Sequence, residues 1–322
     1  MLNLAGEAAW WWPVALQDPS HDRPQALQLL GQALVLWRTA QGEPVLMADR
    51  CPHRGAKLSM GRVTQDRLQC PYHGWQFDAR GACAAVPATP GFTPPASSAA
   101  PCFGVRQAHG LVWCDLSGRA VNGPPDLSHL PARRLVYGPF DVATSAPRAV
   151  ENFLDTSHFA FVHEGWLGDL AHPEVPHHEV THTVDGRPVV EHYRAWQPRA
   201  SASSTQGEWV DYRYEVLNPY AASLTKRGEA GGPQDSYVIW ACPVTPESCR
   251  LWFAQYTTDT ETPAETLRDF QVAIFAQDQP VLESQQPKTL PLSGGEAMSA
   301  ADRLSAAYRR YLKSQGIVFG TC

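Results

Sequence analysis

The chain has 322 residues, 43% of them hydrophobic and 18% charged, which is enough material for two cores of ordinary domain size and excludes a disordered chain. Its net charge of -6, with both signs interspersed, excludes the basic footprint of a nucleic-acid binder. Met1 to Gly6 carry no positive n-region, and the most apolar stretch, Ala8 to Leu16, is far too short to span a bilayer; the expectation is a cytoplasmic chain without membrane contact. Cys83, Cys102, Cys114, Cys242, Cys249 and Cys322 show no framework spacing, as expected of free thiols in a reducing compartment.

Residues 1 to about 118 read as short β segments separated by turns, among them Ala33–Trp37, Val45–Ala48 and Leu111–Cys114. Asp78-Ala79-Arg80-Gly81 reads as a tight turn, and Val86 to Pro101, with five prolines, as a loop. Gly118 to Pro131 is the best linker candidate, so the domains are placed at 1–120 and 121–322. Beyond it, three helices are expected. The first covers about 148–164. The second begins at a capping box, Thr262-Pro263-Ala264-Glu265, and is ended or kinked by Pro280. The third runs from about Ser299 to Ser314, with Arg309, Arg310 and Lys313 complementing the dipole of its last turns. Trp209–Val216, Tyr237–Ala241 and Arg250–Tyr256 read as strands between the first two helices. The fold class is therefore α+β: an all-β N-terminal domain, then a domain with a central antiparallel sheet and flanking helices.

Two constellations carry chemistry. Cys51-Pro52-His53 is followed, after sixteen residues, by Cys70-Pro71-Tyr72-His73. Each half supplies one thiolate and one imidazole, the set that holds a Rieske [2Fe–2S] cluster, with cysteines on one iron and histidines on the other. A tetrahedral zinc site is the competing reading, but zinc fingers place like ligands together, whereas here each motif mixes them.

The second constellation is Glu151 to His163, with His158 and His163 five residues apart and Asp155 three residues before His158. On an ideal helix, positions i and i+5 lie ~140° apart and share a metal only if the helix ends or bulges between them. Glu164-Gly165 makes an ending reasonable. An ordinary helical histidine pair is the bland alternative. A facial triad needs a third ligand, a carboxylate. Asp278 is the candidate, because Leu267, Phe270, Ile274 and Asp278 follow one face of the second helix, and a carboxylate on an apolar face is costly unless paired or metal-bound. Asp269 and Glu283 are weaker rivals.

With these residues in view, the sequence closely resembles the Rieske non-haem iron oxygenases, terminal-oxygenase α subunit. The motifs that carry the resemblance are Cys51-Pro-His-Arg-Gly-Ala-Lys-Leu-Ser-Met-Gly61, Cys70-Pro-Tyr-His-Gly-Trp75, and the run of Asn152, Asp155, His158 and His163. The segments Asp278–Gln285 and Ala301–Leu312 resemble one branch, that of vanillate and dicamba O-demethylases and toluenesulfonate methyl-monooxygenase. The resemblance implies a [2Fe–2S] cluster and a mononuclear Fe(II), an NAD(P)H-dependent flavin/iron–sulfur reductase or ferredoxin as electron source, and a homotrimer. It also implies a small, aromatic substrate that is hydroxylated, or demethylated with loss of formaldehyde. Asn152 would then sit beside the iron without binding it strongly. Asp155 would bridge His158 to a Rieske histidine, His73, of an adjacent subunit. The rival activities are ring cis-dihydroxylation, a pure Rieske electron carrier, and a zinc-stabilised binding module. The many aromatics of the second half, such as Trp166, Trp196, Trp209, Tyr214, Tyr220, Trp240 and Phe270, read mostly as core, and no pocket residue can be chosen among them.

Overall fold

The computed structural model describes residues 4–17, 23–229 and 231–322. Part of the Met1 to Gly6 segment therefore lies outside the described residues. The chain divides into two compact units, Ala8–Pro124 and Pro125–Cys322, with Glu7 belonging to the second.

The first unit is all β, with short 3-10 turns. Strands β1 (Trp12–Leu16), β2 (Gln25–Leu29), β3 (Gln32–Arg38) and β4 (Pro44–Ala48) precede a small sheet of β5 (Arg62–Thr64), β6 (Arg67–Gln69), β7 (Gln76–Phe77) and β8 (Cys83–Ala85). Two longer strands, β9 (Cys102–Ala108) and β10 (Leu111–Asp115), close the larger sheet in the order β1-β10-β9-β4-β3-β2. Three hairpins of this unit, two in the larger sheet and one in the small sheet, turn on two residues with positive φ: Leu30-Gly31, His109-Gly110 and Gln65-Asp66. That is the twist a two-residue hairpin needs to match its strands. Val35, Trp37, Val45, Met47, Leu58, Leu68 and Phe77 form a core with Cys51 and Cys70 packed into it. The expected turn at Asp78 closes with a 2.9 Å bond from the Gly81 N–H to the Asp78 carbonyl.

The second unit is built on a seven-stranded antiparallel sheet. Its strands are β11 (Arg133–Val142), β12 (Thr181–His182), β13 (Pro188–Gln197), β14 (Glu208–Asn218), β15 (Ala221–Gly228), β16 (Asp235–Thr245) and β17 (Ser248–Thr257), in the order β11-β17-β16-β15-β14-β13-β12. Helices α1 (Ala146–Leu154), α2 (Phe159–Val162), α3 (Ala264–Ser284) and α4 (Arg303–Ser314) accompany it, so the α+β class holds.

Three sequence expectations are corrected or narrowed. The helix expected over 148–164 is two helices, because the chain is extended at Asp155 (φ -73°, ψ 135°). Thr262 does not cap α3; Pro263 is its N-cap without a side-chain bond, and the Thr262 hydroxyl donates to Asp259 at 2.6 Å. Of the two outcomes expected at Pro280, an end or a kink, the end does not occur: Pro280 lies inside α3, which runs on to Ser284. Arg309, placed in the later turns of α4 as expected, does more than complement the helix dipole. It is buried and donates both to the Glu151 carboxylate, at 2.5 and 2.8 Å, and to Glu296, at 2.6 Å. This pair ties α4 to α1. At the N-terminal side of the unit, buried Glu7 accepts the backbone N–H groups of Val318 and Phe319, each at 2.8 Å.

Candidate metal centres

The two loops that carry Cys51/His53 and Cys70/His73 are built alike. In each, a glycine four residues after the cysteine has φ near +75° (Gly55 +76°, Gly74 +72°) and donates its N–H back to the cysteine carbonyl. Each cysteine N–H in turn reaches the carbonyl five residues on, Ala56 and Trp75, at 2.8 Å. Only glycine holds that left-handed backbone without strain, and a Cβ on Gly74 would also meet Pro87 at 3.3 Å. Asp49 anchors the first loop by accepting the Ser59 N–H and hydroxyl, both at 2.7 Å.

The turns bury both thiols and leave the imidazoles outside. Cys51 and Cys70 are 2% and 3% exposed, whereas His53 is exposed and His73 half-buried. The two imidazoles lie 4.7 Å apart between centroids, and His53 stacks on Trp75 at 4.5 Å. Burial pushes the Cys51 thiol up to about 11, against the His53 backbone N–H, which lowers it. A thiol so placed ionises readily only against a metal cation. Two thiolates inward and two imidazoles outward is the donor set of an asymmetric [2Fe–2S] cluster. His73→Cys is expected to lower the cluster potential toward that of all-thiolate clusters, or to abolish assembly. A redox titration giving the wild-type potential and spectrum would defeat the assignment.

In the second unit, Ser145 caps α1 by accepting the Arg148 N–H at 3.3 Å, and the helix stops at Asp155. There the Asp155 carboxylate takes over the role of the missing helical bonds. Its Oδ1 accepts the Ser157 N–H at 2.8 Å and hydroxyl at 2.6 Å, and its Oδ2 meets His158 Nδ1 at 3.2 Å. The closeness of Asp155 and His158 therefore comes from a side-chain turn and not from helical spacing. Helix α2 supplies one turn between the histidines and ends at His163, outside helical backbone (φ -110°, ψ 33°). The ~140° separation of a straight helix is removed in this way.

His158 Nε2 and His163 Nε2 come to 3.2 Å of each other, and Asp278 Oδ1 lies 3.5 and 3.3 Å from them. Donors about 2.1 Å from one ion, at right angles, would sit about 3.0 Å apart. His158 Nδ1 donates to Asp155, and His163 Nδ1 donates to Gln277 Oε1 at 2.7 Å. With the single proton of each imidazole on Nδ1, both Nε2 atoms present lone pairs to each other and to a carboxylate oxygen. Three acceptors converge on one point, an arrangement that a cation stabilises and that neutral packing does not. His163 is 1% and Asp278 8% exposed, so water does little to relieve them. Asn152 Nδ2 donates to Asp278 Oδ1 at 3.2 Å, orienting the carboxylate. The rivals stand elsewhere: Asp269 is exposed, and Glu283 accepts from Ala143 N–H and Gln279.

The three groups line a cavity of ≈ 90 Å³ between the sheet and helices α1 and α3. Its walls are apolar at Phe153, Leu167, Ile239, Phe253, Ile274 and Phe275 and polar at Tyr212, Lys226, Tyr237 and Gln271. None of the seven aromatics singled out in the sequence lines it; Tyr214, Tyr220 and Trp240 are fully buried in the core. Gln277, which orients His163, was also missed. Its only sequence signal is adjacency to Asp278. Asn152→Ala is expected to retain iron and lose roughly tenfold in rate, as an orienting partner would. Complete loss of iron on metal analysis would make Asn152 a ligand instead.

A thiolate/imidazole loop pair in one unit and a His/His/carboxylate centre in the other define an oxygenase class, and the comparisons agree. Residues 10–103 match the Rieske [2Fe-2S] domain, and residues 142–315 match the Vanillate O-demethylase oxygenase C-terminal domain. The chain belongs to the Rieske non-haem iron oxygenases as a terminal-oxygenase α subunit, an oxidoreductase that monooxygenates a small molecule with a [2Fe–2S] cluster and a non-haem iron. Among its relatives is methylxanthine N1-demethylase NdmA of Pseudomonas putida, 33% identical over 94% of this chain and 88% of that protein. Methylxanthine N3-demethylase NdmB of the same organism is 31% identical over the same shares. The solved structure of NdmA with caffeine superposes with a TM-score of 0.83 at 30% identity, covering 96% of this chain and 91% of the other. Dicamba monooxygenase bound to dicamba, 23% identical, shares the fold with a TM-score of 0.77, covering 95% and 96%. Among the described residues, no helix is long and apolar enough to cross a membrane.

Proposed function

We propose that this chain demethylates an O- or N-methyl group on a small aromatic molecule, releasing formaldehyde. The observation that carries the reading is the convergence of His158, His163 and Asp278 acceptors on one point in the wall of a largely apolar cavity. In this reading those three residues hold the mononuclear Fe(II), and Cys51, His53, Cys70 and His73 hold the cluster. The iron supplies oxygen activation and the cluster supplies single electrons. The chain's own share is to fix the ligands through Asp155, Gln277 and Asn152, to hold a flat ring against Phe253 and Phe275, and to keep bulk water from the reacting methyl. The N-demethylase relatives and the apolar walls both support methyl oxidation.

The same reading makes the enzyme a cytoplasmic homotrimer that draws electrons from an NAD(P)H-dependent flavin/iron–sulfur reductase or a ferredoxin. Asp155 then connects His158 to His73 of a neighbouring subunit. The test is a substrate screen with a surrogate reductase, over methylxanthines and methoxybenzoates, scoring oxygen uptake and formaldehyde together. About one formaldehyde per oxygen consumed is expected. Oxygen uptake that yields ring diols and no formaldehyde would replace this reading by cis-dihydroxylation.

A further inference from the structure

Lys226 is a buried cation in the wall of the catalytic cavity. It lies on β15 directly across from Tyr212 of β14 and from Asp235 of β16, and is 6% exposed. It is the one cation among the described residues that line that cavity. It also borders a second cavity, of ≈ 300 Å³, whose lining includes Ala200, Ser204, Glu208, Gly228 and Asp235.

The ammonium is poorly satisfied. Of its three N–H bonds, the described residues take one, to the Ala200 carbonyl. No carboxylate of the described residues lies within 4.0 Å of Nζ. Asp235 and Glu208 act on it only at longer range, and Asp235 Oδ1 already accepts from Gln255 Nε2 at 3.1 Å. The Tyr237 ring, 5.2 Å from Nζ, gives partial compensation. Burial pulls the Lys226 amine down to about 8, against the raising charges of Asp235 and Glu208, so at neutral pH it is still largely protonated. A buried cation with one hydrogen bond and no ion pair is unfavourable until an anion reaches it.

We propose that Lys226 is the specificity-determining residue of the cavity, and that its Nζ binds a carboxylate carried by the substrate's ring. The inference rests on the cavity being the substrate site, as in the function proposed above. A charge-assisted pair inside an apolar cavity would fix the ring's orientation toward the iron ligands and would reject neutral isosteres.

The test measures binding alone, on the iron-loaded holoenzyme, by calorimetric titration with 3-methoxybenzoate and its neutral isostere 3-methoxybenzamide. The wild type is expected to bind the carboxylate roughly tenfold tighter or more, Lys226→Met to abolish that preference, and Lys226→Arg to restore part of it. A second measurement needs no variant. From pH 7 to 9.5 the wild-type preference should fall as the amine loses its proton. Burial keeps the facing Tyr212 and Tyr237 phenols protonated over this range, and the other charged groups near the amine are the carboxylates of Asp235 and Glu208. Equal binding of the two probes by the wild type, a preference unmoved by Lys226→Met or by pH, or no binding of either probe overturns the proposal. An enzyme that binds the carboxylate through Lys226 yet forms no formaldehyde from any substrate overturns the demethylase reading and leaves this one standing.

Discussion

Asp278→Ala is expected to empty the mononuclear site, reducing iron from about three to about two atoms per chain and activity by roughly 10²-fold or more, while the visible and EPR signatures of the cluster remain. The reason is the shared focus of His158 Nε2, His163 Nε2 and Asp278 Oδ1. Removing the carboxylate leaves two neutral imidazoles, a weak site for a hard Fe(II) ion. It also leaves the Asn152 amide without its acceptor. Asp278→Glu is the useful companion. It keeps the charge but lengthens the reach, so partial iron with poor activity would mark a geometric requirement. Full activity with full iron in Asp278→Ala would place the third ligand elsewhere.

Asp155→Ala is expected to leave both metal sites loaded and the cluster reducible, yet to slow single-turnover oxidation of the reduced cluster by roughly 10²-fold, with substrate and oxygen present. The carboxylate has two jobs that can be separated. Its Oδ1 holds the turn through Ser157, and its Oδ2 meets His158 Nδ1. Asp155→Asn keeps an oxygen for the Ser157 N–H but loses the charge. If electron transfer needs the charge, both variants reoxidise slowly and both stay folded. Should the asparagine variant reoxidise at the wild-type rate while the alanine variant loses iron, Asp155 would be a turn residue and not part of an electron route.

What could be read before folding was local or anomalous. The cluster loops were legible because a cysteine, a histidine two or three residues on, and a glycine at the fourth position make a complete turn within each motif. Asp278 was legible because a charge on the face of Leu267, Phe270 and Ile274 breaks the pattern, and all four are indeed buried. The strands found were compact runs of Val, Leu, Ile, Trp and Tyr, such as β4, β10 and β16. The strands β11 and β13 were not found, since bulges at Tyr137/Phe140 and Val190/Tyr193 interrupt the two-residue period that marks a strand. The strand β15, Ala221–Gly228, was missed because its residues, Ala-Ala-Ser-Leu-Thr-Lys-Arg-Gly, include few of the β-branched and aromatic types that mark a strand.

By itself, then, the sequence determined the iron–sulfur oxygenase chemistry and the α+β class and pointed to a donor set, because residue types and short-range turn chemistry are encoded within a few residues. The tertiary structure alone decided how those donors meet. The break at Asp155 depends on a side-chain turn competing with helix continuation, and the ion pair of Arg309 with Glu151 joins residues 158 positions apart. The cavity draws its walls from α1, α3 and several sheet strands, so no linear pattern marks Tyr212, Lys226 or Phe275 as neighbours of His158. Nothing in the linear sequence singles out Lys226. Only the packing of β14 and β16 on either side of it turns that lysine into a buried charge facing a cavity, because burial is a property of what surrounds a residue and not of the residue itself.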